Sequence, residues 1–307
     1  MNALQNPTKW QTPYRAYEAL VAPARPSAQY WRLLVGVVAI TFLFLFGMRL
    51  YISLVAGLLS LPVRVVNAAL LSATQPEWTL VILFSFLVLA IATMAVTRLL
   101  HARPVRSLIG APSQALRNFL LVAGAILLLQ LLLSILPPWG GSNLLNNPEM
   151  PLSRWLLLLP LSLSGVLIQT GSEELLFRGY LQSQLAARLR SPVIWIGLPS
   201  AIFAALHYDP ATNGSNVLWV VAWAAGFGVL SADLTARTGN LGAAIGFHFA
   251  NNIFALLIVG FAGNLGGLAL YHLPYSAADF AHAGPSFLID FATMFTAWLA
   301  ARLVLRV

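Results

Sequence analysis

The sequence contains no cysteine and few charged residues, and each shortage excludes a class of protein. Without cysteine there is no disulfide framework, no thiol nucleophile and no cysteine-ligated zinc. Charged residues make up 8% and hydrophobic residues 59% of the 307 residues, whereas a soluble globular domain carries about 25% charged residues. A soluble fold of this length would expose too much apolar surface to stay dispersed. The composition therefore predicts an integral membrane protein whose solvent is the lipid bilayer.

The net charge of +8 is distributed in a way that argues against a nucleic-acid partner. The basic residues stand singly or in twos and threes between apolar runs, as loop arginines do in membrane proteins. The sequence shows no basic patch interleaved with aromatic residues. We therefore expect the bilayer, and no nucleic acid, as a partner.

Apolar runs long enough to cross a bilayer dominate the chain. A hydrocarbon core of roughly 30 Å needs about 20 apolar residues in a helix. By that measure we predict an all-α fold, a polytopic transmembrane helix bundle with about eight spans. The predicted spans lie near residues 32–61, 78–100, 117–137, 152–175, 192–207, 216–234, 240–262 and 286–304.

Most arginines fall on one side of this topology, which favours a cytoplasmic location for both termini. Residues 1–30 hold no compact apolar stretch with a cleavage site, so they predict a cytoplasmic N-terminal segment. Two segments rich in Gly, Pro and Asn, 138–151 and 263–285, are expected to be loops. The chain then divides into the N-terminal segment 1–30, N-terminal transmembrane helices 31–151 with a cytoplasmic loop near 101–117 that includes His101, a group of helices 152–262, and an outer loop with the last transmembrane helix 263–307.

Two adjacent acids interrupt the apolar sequence at Glu173 and Glu174. Ionisable groups at membrane depth are costly and mark functional sites by default. On a helix, Glu174 and Arg178 have the favourable i,i+4 order with the acid before the base, so we expect them to pair. Glu173 is then turned about 100° away and can face another neighbour. The pattern predicts one structural and one working acid, with an ordinary interfacial Glu–Arg cluster as the alternative.

A histidine interrupts the next apolar run at His207. If residues 155–190 form one long helix that turns at Ser191 and Pro192, Glu173 lies roughly 25 Å before the bend and His207 roughly 22 Å after it. In an antiparallel hairpin these two side chains reach the same depth. The alternative is a packed, hydrogen-bonded histidine without a catalytic role.

His248 and Asn252 are four residues apart, so they share a helix face and can converge on one point. Asn251 is expected to point elsewhere, toward a hydrogen bond between helices. Gly242 and Gly246 form a pair of small residues that lets another helix come close. The alternative interpretation is that His248 and Asn252 only join helices.

A Glu, two His and an Asn within a membrane can together supply the groups that hydrolysis needs, a general base and an oxyanion site. Glu173 or His207 can take a proton from water and generate the nucleophile. His248 and Asn252 can donate hydrogen bonds to the oxyanion that develops on a scissile carbonyl. Together these steps would hydrolyse an amide without a covalent intermediate.

Three ordered motifs carry a resemblance to a known family. The motifs E-E-x-x-x-R, F-x-x-x-H and H-x-x-x-N stand here as Glu173-Glu174…Arg178, Phe203…His207 and His248…Asn252. In order, spacing and placement on successive apolar helices they resemble the CPBP family of intramembrane proteases (CAAX prenyl protease and bacteriocin-processing, also called Abi). The resemblance covers residues 152–262, which it implies are CPBP-like catalytic helices, while the first 150 residues match only as generic spans.

The resemblance implies a role for each matching side chain. Glu173 and His207 would activate the water. His248 and Asn252 would form the oxyanion site, and Glu174 with Arg178 would support them. The implied activity is that of an endopeptidase acting on a hydrophobic or prenylated peptide or protein.

The resemblance leaves open whether the site binds a metal ion. The family is often labelled a metalloprotease, and if a divalent metal such as zinc is bound, its ligands would be Glu173, His207 and His248. The H-E-x-x-H pattern of many zinc proteases is absent from the sequence. We therefore favour hydrolysis driven by glutamate.

Two rival functions use the same buried polar residues. A transporter or channel would use them as a relay, but the two halves show neither the inverted repeats nor the paired broken helices that many transporters display. A non-catalytic membrane scaffold or immunity protein has no need for charged groups at membrane depth.

The expected location is multi-pass in a bacterial inner or plasma membrane.

Overall fold

The computed structural model of the chain describes residues 12–136, 144–261, 263 and 265–307. Predictions for residues 1–11, 137–143, 262 and 264 lie outside these ranges. Within them, helices form almost all of the regular structure, which confirms the predicted all-α class.

Nine helices of ten residues or more occur in the described part of the chain. Several begin with proline, which suits the first helical position because its φ angle is already helical and its missing N–H would have no partner there. The helices, numbered in chain order, are α1 Tyr30–Leu58, α2 Val63–Ser72, α3 Pro76–Leu99, α4 Pro112–Ile135, α5 Leu152–Ala186, α6 Pro192–Ala205, α7 Val217–Thr238, α8 Gly242–Ile258 and α9 Phe280–Leu305.

Six helical stretches in the described residues are long and apolar enough to cross a membrane: Tyr30–Leu58, Pro76–Leu99, Pro112–Ile135, Leu152–Ala186, Pro210–Thr238 and Phe287–Leu305. They correspond to six of the eight predicted spans. The fifth and seventh predicted spans correspond to the shorter apolar helices α6 and α8. With 14 residues, α6 is about 21 Å long, less than the roughly 30 Å of a hydrocarbon core. The chain is an integral membrane helix bundle, and the orientation of its termini stays a prediction.

Helix α8 lies unusually close to α4. A Cβ atom on Gly242 would lie 1.9 Å from the Ala115 carbonyl oxygen, and one on Gly246 would lie 2.7 Å from the Phe119 carbonyl oxygen. Any larger residue would therefore push the two backbones apart. This contact confirms that the pair of small residues in α8 admits a neighbouring helix, and it sets the position of the residues that follow in α8.

Three short strands depart from the purely helical expectation. They are β1 Leu145–Asn146, β2 Val259–Phe261 and β3 Tyr271–Leu273, in the order β1-β3-β2. Strand β1 pairs with β3 in the antiparallel sense, and β2 pairs with β3 in the parallel sense. The sheet ties the segment before α5 to the segment after α8; β1 and β3 lie in regions predicted as loops, and β2 lies at the end of the predicted span 240–262. It also ends α8 at Ile258, before the predicted end of that span at residue 262.

The described part of the N-terminal segment packs onto the bundle. It forms short helical turns at Thr12–Tyr17, Glu18–Val21 and Ala22–Ser27. The side chains of Tyr17, Leu20 and Val21 are fully buried, in a cluster with the end of α5 and the start of α6. This segment is therefore part of the folded core.

The loop after α3 holds this segment in place. His101 lies in this loop, as predicted, and its side chain is buried there. The His101 side chain is 4% exposed, with its Nδ1 atom 3.2 Å from the Ser27 carbonyl oxygen and its Nε2 atom 2.8 Å from the Tyr180 hydroxyl. Arg103 donates to the Leu20 carbonyl oxygen at 2.9 Å and to the Ser183 hydroxyl at 2.8 Å. Burial lowers the pKa of His101, and it lowers the pKa of Arg103 to about 10.

Candidate active site

Helix α5 carries the two acids at a change of helix type. The helix is α-helical from Leu152 to Glu174 and π-helical from Leu175 to Gln182, before a last α-helical turn. π-Helical turns are rare and occur frequently at functional sites. Here the turn follows directly after Glu173 and Glu174 and contains Arg178. The comparison of depths for Glu173 and His207 assumed a helix over residues 155–190, whereas the helix ends at Ala186.

Glu174 and Arg178 form a fully buried ion pair. The Arg178 Nη1 atom donates to the Glu174 Oε1 atom at 2.9 Å, and the two side chains are 1% and 0% exposed. The second arm of the guanidinium donates from Nη2 to the Gly228 carbonyl oxygen in α7 at 3.2 Å. The guanidinium also lies over the ring of Phe203, 5.0 Å from its centroid. The structure thus confirms the predicted i,i+4 pair.

Glu174 also determines which nitrogen of His248 carries a hydrogen. The Nδ1 atom of His248 lies 2.9 Å from the Glu174 Oε1 atom. An ionised carboxylate only accepts hydrogen bonds, so Nδ1 is the donor. The other ring nitrogen, Nε2, lies 3.6 Å from the Glu173 Oε2 atom. In the neutral ring Nε2 accepts a hydrogen bond, and it donates one only when the ring is protonated.

Glu173 differs from Glu174 in access. Its side chain is 14% exposed, whereas that of Glu174 is 0% exposed. The Glu174 Oε1 atom accepts hydrogen bonds from both Arg178 and His248, each at 2.9 Å. The Glu173 Oε2 atom lies 3.6 Å from His248 Nε2, which is longer than a hydrogen bond. Glu173 is therefore the more accessible carboxylate of the two.

His207 lies two residues beyond the end of α6. Its Nδ1 atom lies 2.8 Å from the Phe203 carbonyl oxygen, and since a carbonyl only accepts, Nδ1 carries the hydrogen and Nε2 presents a lone pair. The ring packs on Phe203, with centroids 4.6 Å apart. Phe203 in turn packs on Phe177 of α5 at 5.1 Å.

These ring contacts place the end of α6 beside the π-helical part of α5. The expectation that His207 lies at the same depth as Glu173 stays a prediction. No hydrogen bond joins His207 to Glu173 within the described residues, and the described contacts link His207 to the cluster through the Phe203 ring, which is 6.2 Å from the ring of His248.

Asn252 is held by two amides. Its Nδ2 atom donates to the Gln169 Oε1 atom at 2.8 Å, and its Oδ1 atom accepts from the Asn251 Nδ2 atom at 3.2 Å. Asn251 was expected to point elsewhere, so this contact corrects that expectation. Gln169 was missed by the sequence analysis. Its position four residues before Glu173, as a polar side chain in an apolar run, is the pattern that would have indicated it.

Glu173, His207 and His248 are the expected ligands if a metal ion is bound. Among the described residues, no group of three or more His, Asp or Glu side chains is arranged to hold a metal ion, and Glu173, His207 and His248 do not form such a group. The Nδ1 atoms of the two histidines are engaged by Phe203 and Glu174. The residues as arranged do not fit a three-ligand metal site, so the mechanism proposed below has no step through a metal.

A family model matches the segment that holds these side chains. Residues 154–254 match a family model described as type II CAAX prenyl endopeptidase Rce1-like. The matched segment runs from the start of α5 to α8 and contains all six side chains predicted from the motifs. The match confirms the resemblance for this segment.

A curated relative matches a similar share of the chain. The Uncharacterized protein YyaK of Bacillus subtilis (strain 168) is 30% identical over 111 residues, which is 36% of this chain and 37% of the relative. The chain therefore matches little more than a third of that relative's length. No solved structure matches the chain at a significant level. The six apolar helices identify an integral membrane protein, and the family match covers residues 154–254, about a third of the chain.

Proposed function

We propose that this protein is an intramembrane endopeptidase that hydrolyses a peptide bond of a hydrophobic or lipidated, CAAX-like peptide. The observation that carries the proposal is the buried cluster in which Glu174 holds both Arg178 and His248, while the accessible Glu173 stands 3.6 Å from His248. The family match supplies the reaction class. The proposed location is a bacterial inner or plasma membrane, since six helices of the described chain are long and apolar enough to cross one.

In the first step, water becomes the nucleophile. The carboxylate of Glu173 takes one proton from the water while the Nε2 lone pair of His207 accepts a hydrogen bond from the other hydrogen, and the oxygen attacks the scissile carbonyl. General base catalysis of this kind contributes roughly 10²–10⁴-fold to the rate. Glu174 is unsuited to this role because it is fully buried and its Oε1 atom already accepts two hydrogen bonds.

The attack places a negative charge on the carbonyl oxygen. Protonated His248, with its Nδ1–H on Glu174, donates from Nε2 to this oxyanion, and Asn252 donates from Nδ2. Each such donor is worth roughly 10²–10³ in kcat. The C–N bond then breaks as the proton held by the base passes to the leaving amine. The products are one carboxylate and one amine, so no covalent enzyme intermediate forms.

The surroundings of His207 favour an apolar substrate. Because α6 is short, it ends near the site, and the flanking side chains Leu206 and Tyr208 are 72% and 58% exposed. In a bilayer these side chains meet lipid. A hydrophobic or prenylated peptide can approach through that medium, which supports a CAAX-like substrate class.

Cleavage of a quenched fluorescent farnesylated peptide by purified protein in detergent tests the proposal. Wild type is compared with Glu173→Gln and with Glu77→Gln, a matched control at an exposed acid that pairs with Arg154. We expect Glu173→Gln to lower kcat by at least roughly 10²-fold, and Glu77→Gln to cleave like wild type.

Three outcomes would overturn the proposal. Full activity of Glu173→Gln would show that the base is elsewhere. Loss of activity with a chelator and its restoration by zinc would contradict the metal-free mechanism. Uptake of the intact peptide into sealed proteoliposomes, without cleavage, would favour a transporter.

A further inference from the structure

Helices α5 and α8 are joined at two levels, one helical turn apart. At the first level the Glu173 Oε2 atom lies 3.6 Å from the His248 Nε2 atom. At the second, the Gln169 Oε1 atom accepts a hydrogen bond from Asn252 at 2.8 Å. Gln169 and Glu173 are four positions apart on α5, and His248 and Asn252 are four positions apart on α8. The four side chains therefore share one interface between antiparallel helices. The second pair therefore lies directly beside the proposed reaction centre.

The contacts of Asn252 define the orientation of its amide group. The Oδ1 atom accepts from Asn251, and one Nδ2 hydrogen goes to Gln169. A rotation of the amide by 180° would set the carbonyl oxygen of Asn252 against that of Gln169 and its NH₂ group against that of Asn251. Both hydrogen bonds would then be lost. Because an amide nitrogen carries two hydrogens, the observed orientation leaves one for another acceptor.

We propose that Gln169 is a positioning residue for Asn252, holding its amide so that the second N–H faces the oxyanion beside His248. This inference rests on the proposed function and adds a residue to it. Without the acceptor at Gln169, the terminal amide torsion of Asn252 has a broad range of allowed angles. A donor displaced by about 1 Å can cost roughly 10²-fold in rate.

A structural role for Gln169 predicts a different result, and the chain offers a matched control. Gln182 is also a buried amide on α5, and it donates to the Ala232 carbonyl oxygen of α7 at 3.1 Å. Replacing either glutamine by Met keeps the approximate shape and removes one hydrogen bond between helices. We expect both variants to fold, and only Gln169→Met to lose kcat.

The decisive experiment is a double-mutant cycle on kcat and KM for the farnesylated peptide, with the full chain in detergent. Its members are wild type, Gln169→Met, Asn252→Ala and the double variant. We expect Gln169→Met to lower kcat by roughly 10–10²-fold with KM unchanged within about twofold. We expect the double variant to be no slower than Asn252→Ala, since Gln169 acts only through Asn252.

Independent, multiplicative losses in the double variant would overturn the inference, and so would a wild-type kcat for Gln169→Met. If Gln169→Met does not fold, Gln169→Asn serves in the same cycle, because it keeps the amide and withdraws it by about 1.5 Å, one C–C bond. The two proposals fail separately. If wild type cleaves the peptide and Glu173→Gln does not, a multiplicative cycle removes only the role of Gln169. If wild type cleaves no peptide, the proposed function fails and the role of Gln169 fails with it.

Discussion

Replacing Arg178 by Met would leave Glu174 as a buried carboxylate without its cation. The pair is 1% and 0% exposed, so water cannot take the place of the guanidinium. Removing one partner of a buried ion pair costs roughly 3–5 kcal/mol, because the remaining charge stays desolvated. The variant also loses the hydrogen bond to the Gly228 carbonyl oxygen. We therefore expect Arg178→Met to destabilise the fold by roughly 3–5 kcal/mol and to abolish activity.

A second substitution separates the stranded charge from the other losses. In the double variant Glu174→Gln with Arg178→Met, no unpaired charge is buried, while the side chain at 174 can still accept a hydrogen bond from His248 Nδ1. We expect this double variant to be more stable than Arg178→Met alone. Arg154→Met is the matched control, since Arg154 pairs with Glu77 at the surface with 35% and 60% exposure. Such exposed pairs contribute about 0–1 kcal/mol.

The free energy of unfolding is measured by titration with SDS in mixed micelles, followed by intrinsic fluorescence, with the thermal midpoint recorded in parallel. Arg178→Met should unfold far earlier than wild type, and Arg154→Met close to it. If Arg178→Met were as stable as wild type, the buried pair would not support the site. If the double variant were less stable than Arg178→Met, the stranded carboxylate would not be the cause.

Two further predictions concern the fold around the site. Gly242→Leu should prevent α8 from packing on α4, because even a Cβ atom there would lie 1.9 Å from the Ala115 carbonyl oxygen. The control Gly124→Ala, where a Cβ atom meets nothing within 4 Å, should be neutral or stabilising by up to about 1 kcal/mol. Equal thermal midpoints for the two variants would refute the close contact. Burial lowers the pKa of His101 in the folded state below its ordinary value of 6.5. Its contribution to stability is therefore fully present above that pH and is lost as the pH falls below it, by at most about 1.4 kcal/mol per pH unit. Thermal midpoints between pH 7.5 and 5.5 should fall less steeply for His101→Gln than for wild type, and identical slopes would contradict the buried neutral histidine.

The polar residues of the candidate site could be found from the sequence because lipid makes them conspicuous. A charged side chain at membrane depth needs a partner, and the i,i+4 spacing of Glu174 and Arg178 supplied one within the same helix. The pairing of His248 with Glu174 could not be found in this way. It depends on how far α8 is shifted along α5, and contacts with other helices, such as that of Gly242 with α4, set that shift.

Three other features were harder to predict, each for a different reason. Arg103 and His101 belong to a loop whose composition is typical of a solvated connector, yet both are buried by the N-terminal segment. The strands of the small sheet are two or three residues long, too short for an alternating pattern to emerge. Gln169 carries no charge, so the cost argument that revealed the acids did not single it out, and its role depends on a contact with another helix.

Mass spectrometry of a farnesylated peptide incubated in H₂¹⁸O with purified wild type or Glu173→Gln decides whether Glu173 drives hydrolysis by water. We expect two product peptides from wild type, with one ¹⁸O atom in the new carboxyl terminus, and intact peptide with Glu173→Gln. Intact peptide with wild type, or equal amounts of product from both proteins, would show that Glu173 does not drive this hydrolysis.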